Sequence, residues 1–261
     1  MATAPTNPNL PLFYGDLVPL NSQEHGALRV RPLDQAKFLV NCHAVPLTSD
    51  EFIGASRFYP IIFTQGENPV PLALMAMNEG MNTFVDDEGK LLNPVYVPAY
   101  IRRYPFMFVR AQPDSDEMTL CFDPTAEAVG AFEDGEPLFD GDQPAQATQD
   151  ILSFCQSFEE SGLRTAQFME ELKSSGLLMD GEVAIQVNEQ DQPFTYRGFQ
   201  MIDEAKLREL RGDVLRKMVQ NGMLPLIFAH LFSLQLMREL FAQQVAMGKM
   251  PQVTQAPTAG A

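Results

Sequence analysis

The spacing of the apolar residues changes once along the chain, near Thr148, and this change constrains the fold more than any other feature of the sequence. Before it, short apolar runs alternate with Pro, Gly and Asn, which is typical of strands joined by turns. After it, Ile151, Cys155 and Phe158 recur at helical spacing. The sequence therefore predicts an α+β fold. A β-rich N-terminal part with mostly antiparallel strands precedes a helix-rich C-terminal part with one β-hairpin.

Five apolar runs in the N-terminal part predict strands, because each is short and bounded by turn residues. They are Phe38–Val40, Tyr59–Thr64, Val70–Met77, Phe106–Val109 and Met118–Phe122. Residues 50–57 predict a short helix. Thr83–Leu92 predicts a hairpin whose Asp-Glu-Gly tip supplies the turn.

In the C-terminal part, Thr148 is expected to cap a first helix, and a second helix is expected to end near Gly176. Residues 182–202 predict a strand, a polar turn and a second strand. Asp203 is expected to cap one further helix that ends at Asn221–Gly222.

These patterns divide the chain into segments. They are a flexible N-terminus (1–11), a β-rich part (12–122), an acidic loop or boundary (123–147), a helix-rich part (148–247) and a disordered tail (248–261). A chain of 261 residues also falls in the range where both ordered parts share one compact domain.

Negative charge is concentrated in the middle of the chain. The whole chain carries 34 acidic and 18 basic residues, and residues 111–192 alone hold 19 acidic and 2 basic ones. Such a chain is a poor partner for nucleic-acid phosphates or an anionic membrane surface. The sequence predicts a solvated acidic face, with a docking surface for a basic partner or divalent cations as the alternative.

The cysteines and the N-terminal composition predict a cytoplasmic location. No Lys or Arg precedes Arg29, and no uninterrupted apolar run of signal-peptide length follows the initial Met. The three cysteines, Cys42, Cys121 and Cys155, are widely spaced and odd in number. This pattern indicates reduced thiols rather than a disulfide framework.

The most apolar stretch, residues 224–237, predicts a buried helix with Pro225 in its first turn. It is shorter than the roughly 20 residues that a spanning helix needs, and it contains His230 and Ser233. The sequence therefore predicts no transmembrane segment, which excludes a permease. An alternative role for residues 224–240 is a contact between copies of the chain in a homo-oligomer.

No recognised catalytic motif is present, neither a P-loop nor GxSxG nor HExxH. His25 and His43 are the candidate catalytic residues, as metal ligands or bases, if the fold brings them together. The alternative is that both are isolated, hydrogen-bonded histidines. Their spacing predicts no metal site, and the sequence assigns no cofactor.

The densest functional-looking segment is residues 94–106, PVYVPAYIRRYPF, here called the Arg/Tyr segment. Its candidate binding residues are Tyr96, Tyr100, Arg102, Arg103 and Tyr104. Arginine binds carboxylates bidentately and stacks on aromatic rings, and both residue types are enriched at interaction hot spots. The segment predicts a partner-binding or anion-binding surface. In the alternative, the arginines pair with Asp86, Asp87 or Glu88 and the tyrosines pack in the core.

The order of three segments, YPIIFT, PLALMAMNEGMNTFVDDEGKLL and VPAYIRRYPF, resembles the bacterial SapC family. The stretch from Gly198–Phe199 through MIDEAKLREL to LPLIFAHLFSL is similar to the C-terminal half of that family. The resemblance spans nearly the whole chain. It implies an association with surface-layer or envelope systems and supplies no catalytic residues.

Together these features predict a soluble accessory protein of this family that is not an enzyme. It would bind a protein or peptide partner through the Arg/Tyr segment, and no nucleic acid. The alternative is an enzyme that modifies a peptide or small anionic substrate. In that case the arginines would anchor the substrate, and His25 and His43 would act as metal ligands or bases.

Overall fold

The computed structural model describes residues 10–110, 117–186 and 193–251. Helices make up 37% and strands 22% of the chain, so neither class dominates. Every strand pair in the described ranges is antiparallel. The predicted α+β fold, with antiparallel sheets first and helices later, is confirmed.

The strands form a central five-stranded sheet, two three-stranded sheets and a two-stranded ribbon. In chain order they are β1 (Val18–Pro19), β2 (Arg29–Val30), β3 (Ala44–Pro46), β4 (Ile61–Phe63), β5 (Pro71–Leu74), β6 (Phe106–Arg110), β7 (Met118–Phe122), β8 (Val129–Gly130), β9 (Glu136–Pro137), β10 (Phe139–Asp140), β11 (Gln143–Pro144), β12 (Leu178–Ile185) and β13 (Phe194–Ile202). The central sheet has the order β12-β13-β4-β5-β3, and the smaller sheets are β1-β7-β6, β8-β2-β9 and β10-β11.

The helices pack on the central sheet and on the small sheets. They are α1 (Ser22–His25), α2 (Phe52–Ala55), α3 (Ala99–Arg103), α4 (Gln146–Ser174), α5 (Glu204–Glu209), α6 (Gly212–Gln220), α7 (Met223–Ser233) and α8 (Leu236–Ala246). Two 3-10 turns cover Lys37–Leu39 and Ser49–Glu51. The long helix α4 contacts α3 and β6, and α7 contacts α2, α6 and the central sheet.

The central sheet is buried on both faces. Ile61 of β4 belongs to one apolar core and its neighbour Ile62 to another, because successive side chains of a strand point to opposite faces. The first core also includes Leu172 of α4 and Ile227 of α7, and the second includes Leu240 of α8. The β-rich and helix-rich parts therefore share their cores.

The apolar stretch near the C-terminus forms α7 and α8. Judged by length and composition alone, Met223–Ala246 is long and apolar enough to cross a membrane. In the 18-residue stretch that meets this criterion, 39% is buried inside the protein. His230, Ser233 and Gln244 in this stretch are fully buried or nearly so. Each of the three hydrogen-bonds to the backbone of the sheet or its adjoining loop.

These bonds fasten the two helices to the central sheet. The Ser233 Oγ accepts from the Ile61 N–H at 2.9 Å, and the Gln244 Oε1 accepts from the Met77 N–H at 2.9 Å. The His230 Nε2 accepts from the Ile202 N–H at 3.1 Å, and its Nδ1 lies 2.9 Å from the Ile61 carbonyl oxygen. The helices are therefore held by specific polar contacts as well as by apolar packing.

Most of the strand predictions are confirmed. The runs at 59–64, 70–77, 106–109 and 118–122 contain β4, β5, β6 and β7, and residues 182–202 form most of the β12–β13 hairpin. Asp203 caps α5 through its side chain, which accepts from the Lys206 N–H. The short helix at 50–57 is α2 together with the turn before it.

Of two further predictions in the N-terminal part, one is wrong and one is confirmed. Phe38–Val40 is not a strand, because local bonds from the Leu39 N–H to the Ala36 carbonyl and from the Cys42 N–H to the Leu39 carbonyl wind this run into a turn. The hairpin predicted at 83–92 is present: Val85 and Leu91 form an antiparallel bridge, the Leu92 N–H donates to the Phe84 carbonyl, and the Asp86 N–H donates to the Lys90 carbonyl. The Gly89 N–H donates to the Asp86 carbonyl and closes the turn.

The helix boundaries in the C-terminal part also differ from the prediction. The two helices expected before Gly176 are one helix of 29 residues, α4. Thr148 is not its cap, because the helix begins at Gln146 and the Thr148 hydroxyl donates to the Leu138 carbonyl at 2.6 Å. The single helix expected after Asp203 is divided into α5 and α6, since Leu210 has an extended backbone with ψ of 141°.

The acidic segment 123–147 contains β8 to β11, and its Val129 and Leu138 are buried in a third apolar core. Residues 252–261 of the predicted tail lie outside the described residues. Residues 1–9 of the predicted N-terminal segment also lie outside them.

Candidate functional site

A cleft of about 790 Å³ is bounded by the Arg/Tyr segment, the loop 30–39 and the turn 84–91. Its volume falls within the roughly 300–1,000 Å³ typical of ligand pockets. The inner lining includes Leu39, Tyr59, Met75, Val85 and Ile101, all of them buried. The charged side chains of the lining are exposed or half-buried, namely Arg31, Asp34, Lys90, Arg102, Glu136 and Asp150. The cleft therefore combines an apolar floor with a charged rim.

A buried carboxylate holds the Arg/Tyr segment in place. The Glu51 Oε1 accepts from the Tyr96 hydroxyl at 2.8 Å and from the Ala99 N–H at 2.6 Å, at the first residue of α3. The Glu51 Oε2 accepts from the N–H and the hydroxyl of Thr48 at 3.0 and 2.9 Å. Four donors thus converge on one side chain, and Glu51 joins the Arg/Tyr segment to the turn before α2.

The two adjacent arginines have different surroundings. Arg102 is exposed and lines the cleft. Its Nε donates to the Val97 carbonyl at 3.1 Å, and its guanidinium lies 5.0 Å from the ring centroid of Phe154. No ion pair to an acidic group within the described ranges involves Arg102.

Arg103 is buried, with 7% of its surface exposed. Its guanidinium lies over the rings of Tyr100 and Phe158 at 4.7 and 4.4 Å, and its Nη1 is 3.7 Å from the Glu159 Oε1. Its Nε is buried without a hydrogen-bond partner in the described part of the chain. Arg103 therefore holds α3 against α4, and its acidic neighbour lies on α4 rather than in the turn 86–88.

The three tyrosines of the segment pack against other parts of the protein. The Tyr100 hydroxyl donates to the Leu12 carbonyl at 3.2 Å. Tyr104 lines the cleft and packs against Phe38 at 4.5 Å, and burial together with the nearby Asp123 raises its pKa. Burial, together with the hydrogen bond to Glu51, raises the pKa of Tyr96 to about 12. All three hydroxyls therefore stay protonated at neutral pH.

Of the five candidates in the Arg/Tyr segment, the structure places only Arg102 and Tyr104 in the lining of the cleft. The other three candidates are not part of the lining and hold the segment in position through hydrogen bonds and ring contacts. They are Tyr96, Tyr100 and Arg103. The Arg/Tyr segment therefore contributes one arginine and one tyrosine to the lining, beside the apolar floor.

The candidate histidines do not line this cleft. The His25 Nδ1 accepts from the Asn21 N–H at 3.2 Å, and the ring packs edge-on against Phe122 at 5.0 Å. His43 is buried next to β3 of the central sheet. Within the described ranges, no three His, Cys, Asp or Glu side chains are grouped to hold a metal ion.

A family model described as SapC matches residues 20–240, which is most of the chain. The chain belongs to the SapC family. The cleft, the Arg/Tyr segment and the buried Glu51 all lie within the matched range. Comparisons with curated proteins and with solved structures find no match.

One wall of the cleft in this SapC-family protein depends on a glycine. Gly89 has φ of +81°, and a Cβ there would lie 2.5 Å from the backbone of Ala36 and Lys37. The Gly89 carbonyl also accepts from the Ala36 N–H at 2.8 Å. Only glycine permits the turn to approach the loop this closely, and this contact joins two walls of the cleft.

Glu51 was not among the site residues predicted from the sequence, although a signal for it is present. Thr48 and Glu51 are three residues apart before an apolar run, which is the spacing of a capping box, and the structure shows both of its bonds. The two further bonds of Glu51 have no local signal, because they reach a segment 45 and 48 residues further along the chain.

Proposed function

We propose that this SapC-family protein is a binding module that takes an apolar segment of a partner protein into the cleft beside the Arg/Tyr segment. The observation that carries the proposal is the cleft itself, with its apolar floor and the exposed Arg102 at its rim. The function is that of an accessory protein in surface-layer or envelope systems, as the family resemblance implies.

The lining supports binding rather than catalysis. Among the described residues that form it, none is His, Cys or Ser, and the carboxylates of Asp34, Glu136 and Asp150 are exposed, so the lining pairs no such nucleophile with a base. The Tyr59 hydroxyl donates to the Tyr96 carbonyl at 2.7 Å, so that its proton is already engaged. Apolar floors with a few oriented polar groups are typical of binding sites.

The cleft is also built to keep its shape. The four bonds to Glu51 fix one wall, and the Gly89 contact fixes another. A preformed site loses little conformational entropy when a ligand binds, which favours affinity.

The absence of tryptophan from this chain provides a direct test. The probes are short acetylated and amidated peptides that carry one Trp between Glu and a Leu, Phe or Val residue, so that all Trp emission comes from the peptide. Binding in the cleft is expected to shift this emission to the blue, because the indole leaves water for an apolar floor.

A double variant, Leu33→Gln with Leu91→Gln, removes two apolar side chains of the lining. We expect it to weaken binding at least about tenfold, since each lost apolar contact costs on the order of 1 kcal/mol. The matched control is Leu163→Gln, which changes a side chain that is 73% exposed on α4 and not part of the lining. No emission shift with any peptide of the panel would overturn the proposed function.

We further propose that the protein is soluble and cytoplasmic. All three cysteines are buried, and no disulfide joins Cys42, Cys121 and Cys155, as expected under reducing conditions. The polar side chains of α7 and α8 bond to the sheet, which is how a helix of a water-soluble core is held. Fractionation of native cells is expected to find the protein in the soluble fraction, and recovery with the membranes would contradict this location.

A further inference from the structure

We propose that the partner segment carries an acidic side chain next to its apolar anchor, and that Arg102 binds this carboxylate. The inference rests on the proposed function, and it adds the chemical identity of the ligand and the residue that selects it.

The guanidinium of Arg102 is oriented before any ligand binds. Its Nε is engaged by the Val97 carbonyl at 3.1 Å, and the Phe154 ring lies 5.0 Å from its central carbon. With Nε engaged, the two terminal nitrogens are the donors left to face a ligand, and the guanidinium also interacts with the nearby Tyr96 hydroxyl. The two terminal nitrogens match the two oxygens of a carboxylate in an end-on, bidentate geometry.

The positive charge of Arg102 is not balanced by a direct partner. Asp150 lies in the same cleft, but its Oδ1 accepts from the Gln146 Nε2 at 2.8 Å, and it forms no ion pair with Arg102 within 4.0 Å. The adjacent Arg103 is buried and has Glu159 3.7 Å from its Nη1, so that the exposed charge of the Arg/Tyr segment is that of Arg102.

The remaining charges of the rim lie on other walls. Arg31 comes from the end of β2, and its acidic neighbour is Asp134 at 3.8 Å. Glu136 is on β9, which pairs with β2. Lys90 is exposed on the turn and adds a positive charge at that edge of the cleft. Asp34 is exposed on the loop 30–39. Of the three cationic side chains in the lining, Arg31 has an acidic neighbour, whereas Arg102 and Lys90 form no ion pair within the described ranges.

The charge of the whole chain restricts the anion to a single carboxylate. Residues 111–192 carry 19 acidic groups against 2 basic ones, and this range includes α4 beside the cleft. A polyanion would be repelled by that surface, whereas one carboxylate beside an apolar group gains more from Arg102 than it loses. The apolar floor then binds the neighbouring side chain of the same segment.

We assign the carboxylate to a side chain within the partner segment rather than to a chain end. Arg102 is exposed at the rim while the floor residues Met75 and Ile101 are buried beneath it. An acidic side chain that follows or precedes the apolar anchor reaches the rim while the anchor occupies the floor.

The test is a double-mutant cycle with two amidated peptides that differ only by Glu or Gln beside the Trp. We expect the Glu peptide to bind the wild-type protein about five- to tenfold more tightly at low salt, and this preference to fall as salt is added. Arg102→Gln is expected to abolish the preference, so that the variant binds the Glu and Gln peptides with equal affinity. Arg57→Gln is the matched control, because Arg57 is also exposed and lies over an aromatic ring, but outside the cleft.

The outcomes separate the two proposals. Equal binding of both peptides to the wild-type protein would overturn the carboxylate assignment and leave the proposed function standing. A preference for Glu that persists in Arg102→Gln would overturn the role of Arg102. A Gln peptide with a free terminal carboxylate that binds as tightly as the amidated Glu peptide would overturn the assignment to a side chain. The absence of any binding would overturn the proposed function itself.

Discussion

Replacing Glu51 by alanine is expected to lower the free energy of unfolding by about 3–5 kcal/mol, because it leaves several buried donors without an acceptor. The donors are the N–H and hydroxyl of Thr48, the Tyr96 hydroxyl and the Ala99 N–H, all of which bond to this one carboxylate. Such a loss is a large fraction of the roughly 5–15 kcal/mol by which a domain is stable. Urea denaturation followed by circular dichroism measures it.

Two further variants determine whether the bonds cause the effect. Glu209→Ala removes an exposed glutamate of α5 and is expected to change stability by less than about 0.5 kcal/mol. Glu51→Gln keeps the volume and one acceptor but turns an amide donor toward Thr48, so an intermediate loss is expected. If Glu51→Ala is as stable as Glu209→Ala, Glu51 does not hold the Arg/Tyr segment.

Acidification from pH 6.5 to pH 4 is expected to cost about 3 kcal/mol of stability through His230 alone, since a pKa difference of one unit corresponds to about 1.4 kcal/mol. Burial lowers the pKa of His230 from 6.5 to about 4 in the folded protein. The unfolded chain therefore takes up a proton in this window that the folded protein does not. The folded state loses stability as the pH falls, and this loss levels off below pH 4.

The measurement is a series of urea denaturation curves across this pH range for the wild-type protein and for His230→Gln. The glutamine amide can donate to the Ile61 carbonyl and accept from the Ile202 N–H, but it does not titrate. Between pH 6.5 and pH 4, the free energy of unfolding of the variant is expected to fall by about 3 kcal/mol less than that of the wild-type protein. The hydrogen bonds from Arg164 lower the pKa of Asp50 below 3.8, so this group loses its contribution only at lower pH. If the free energy of unfolding falls equally with pH in both proteins, His230 is not the group responsible for the loss.

The strands of the central sheet could be predicted because burial on both faces leaves a continuous apolar run, as in Ile61–Phe63. The same criterion failed at Phe38–Val40, because this run is only half as long as the predicted run Tyr59–Thr64 and is short enough for local turn bonds to form instead. It also failed to join the two parts of α4, because the apolar stripe drifts around a helix of 29 residues and resembles two shorter stripes.

The candidate site could be predicted only in part. The Arg/Tyr segment was identifiable by composition, but Arg102 and Arg103 are indistinguishable in the sequence. The helical backbone of α3 turns adjacent side chains about 100° apart, which leaves one in the cleft and buries the other. The cleft itself has no sequence signal, because its walls come from residues 30–39, 84–91 and 97–106, and contacts over such separations depend on the whole fold.

The polar contacts of α7 and α8 also determine when the protein finishes folding. The bonds from these helices to Ile61 and Met77 join groups 167 to 172 residues apart, so strands made early in synthesis receive their partners last. One apolar face of the central sheet stays uncovered on the ribosome until α8 has left the exit tunnel. The nascent chain therefore cannot complete its native fold before α8 has been made, and until then this apolar face is a surface at which misfolding and aggregation can begin.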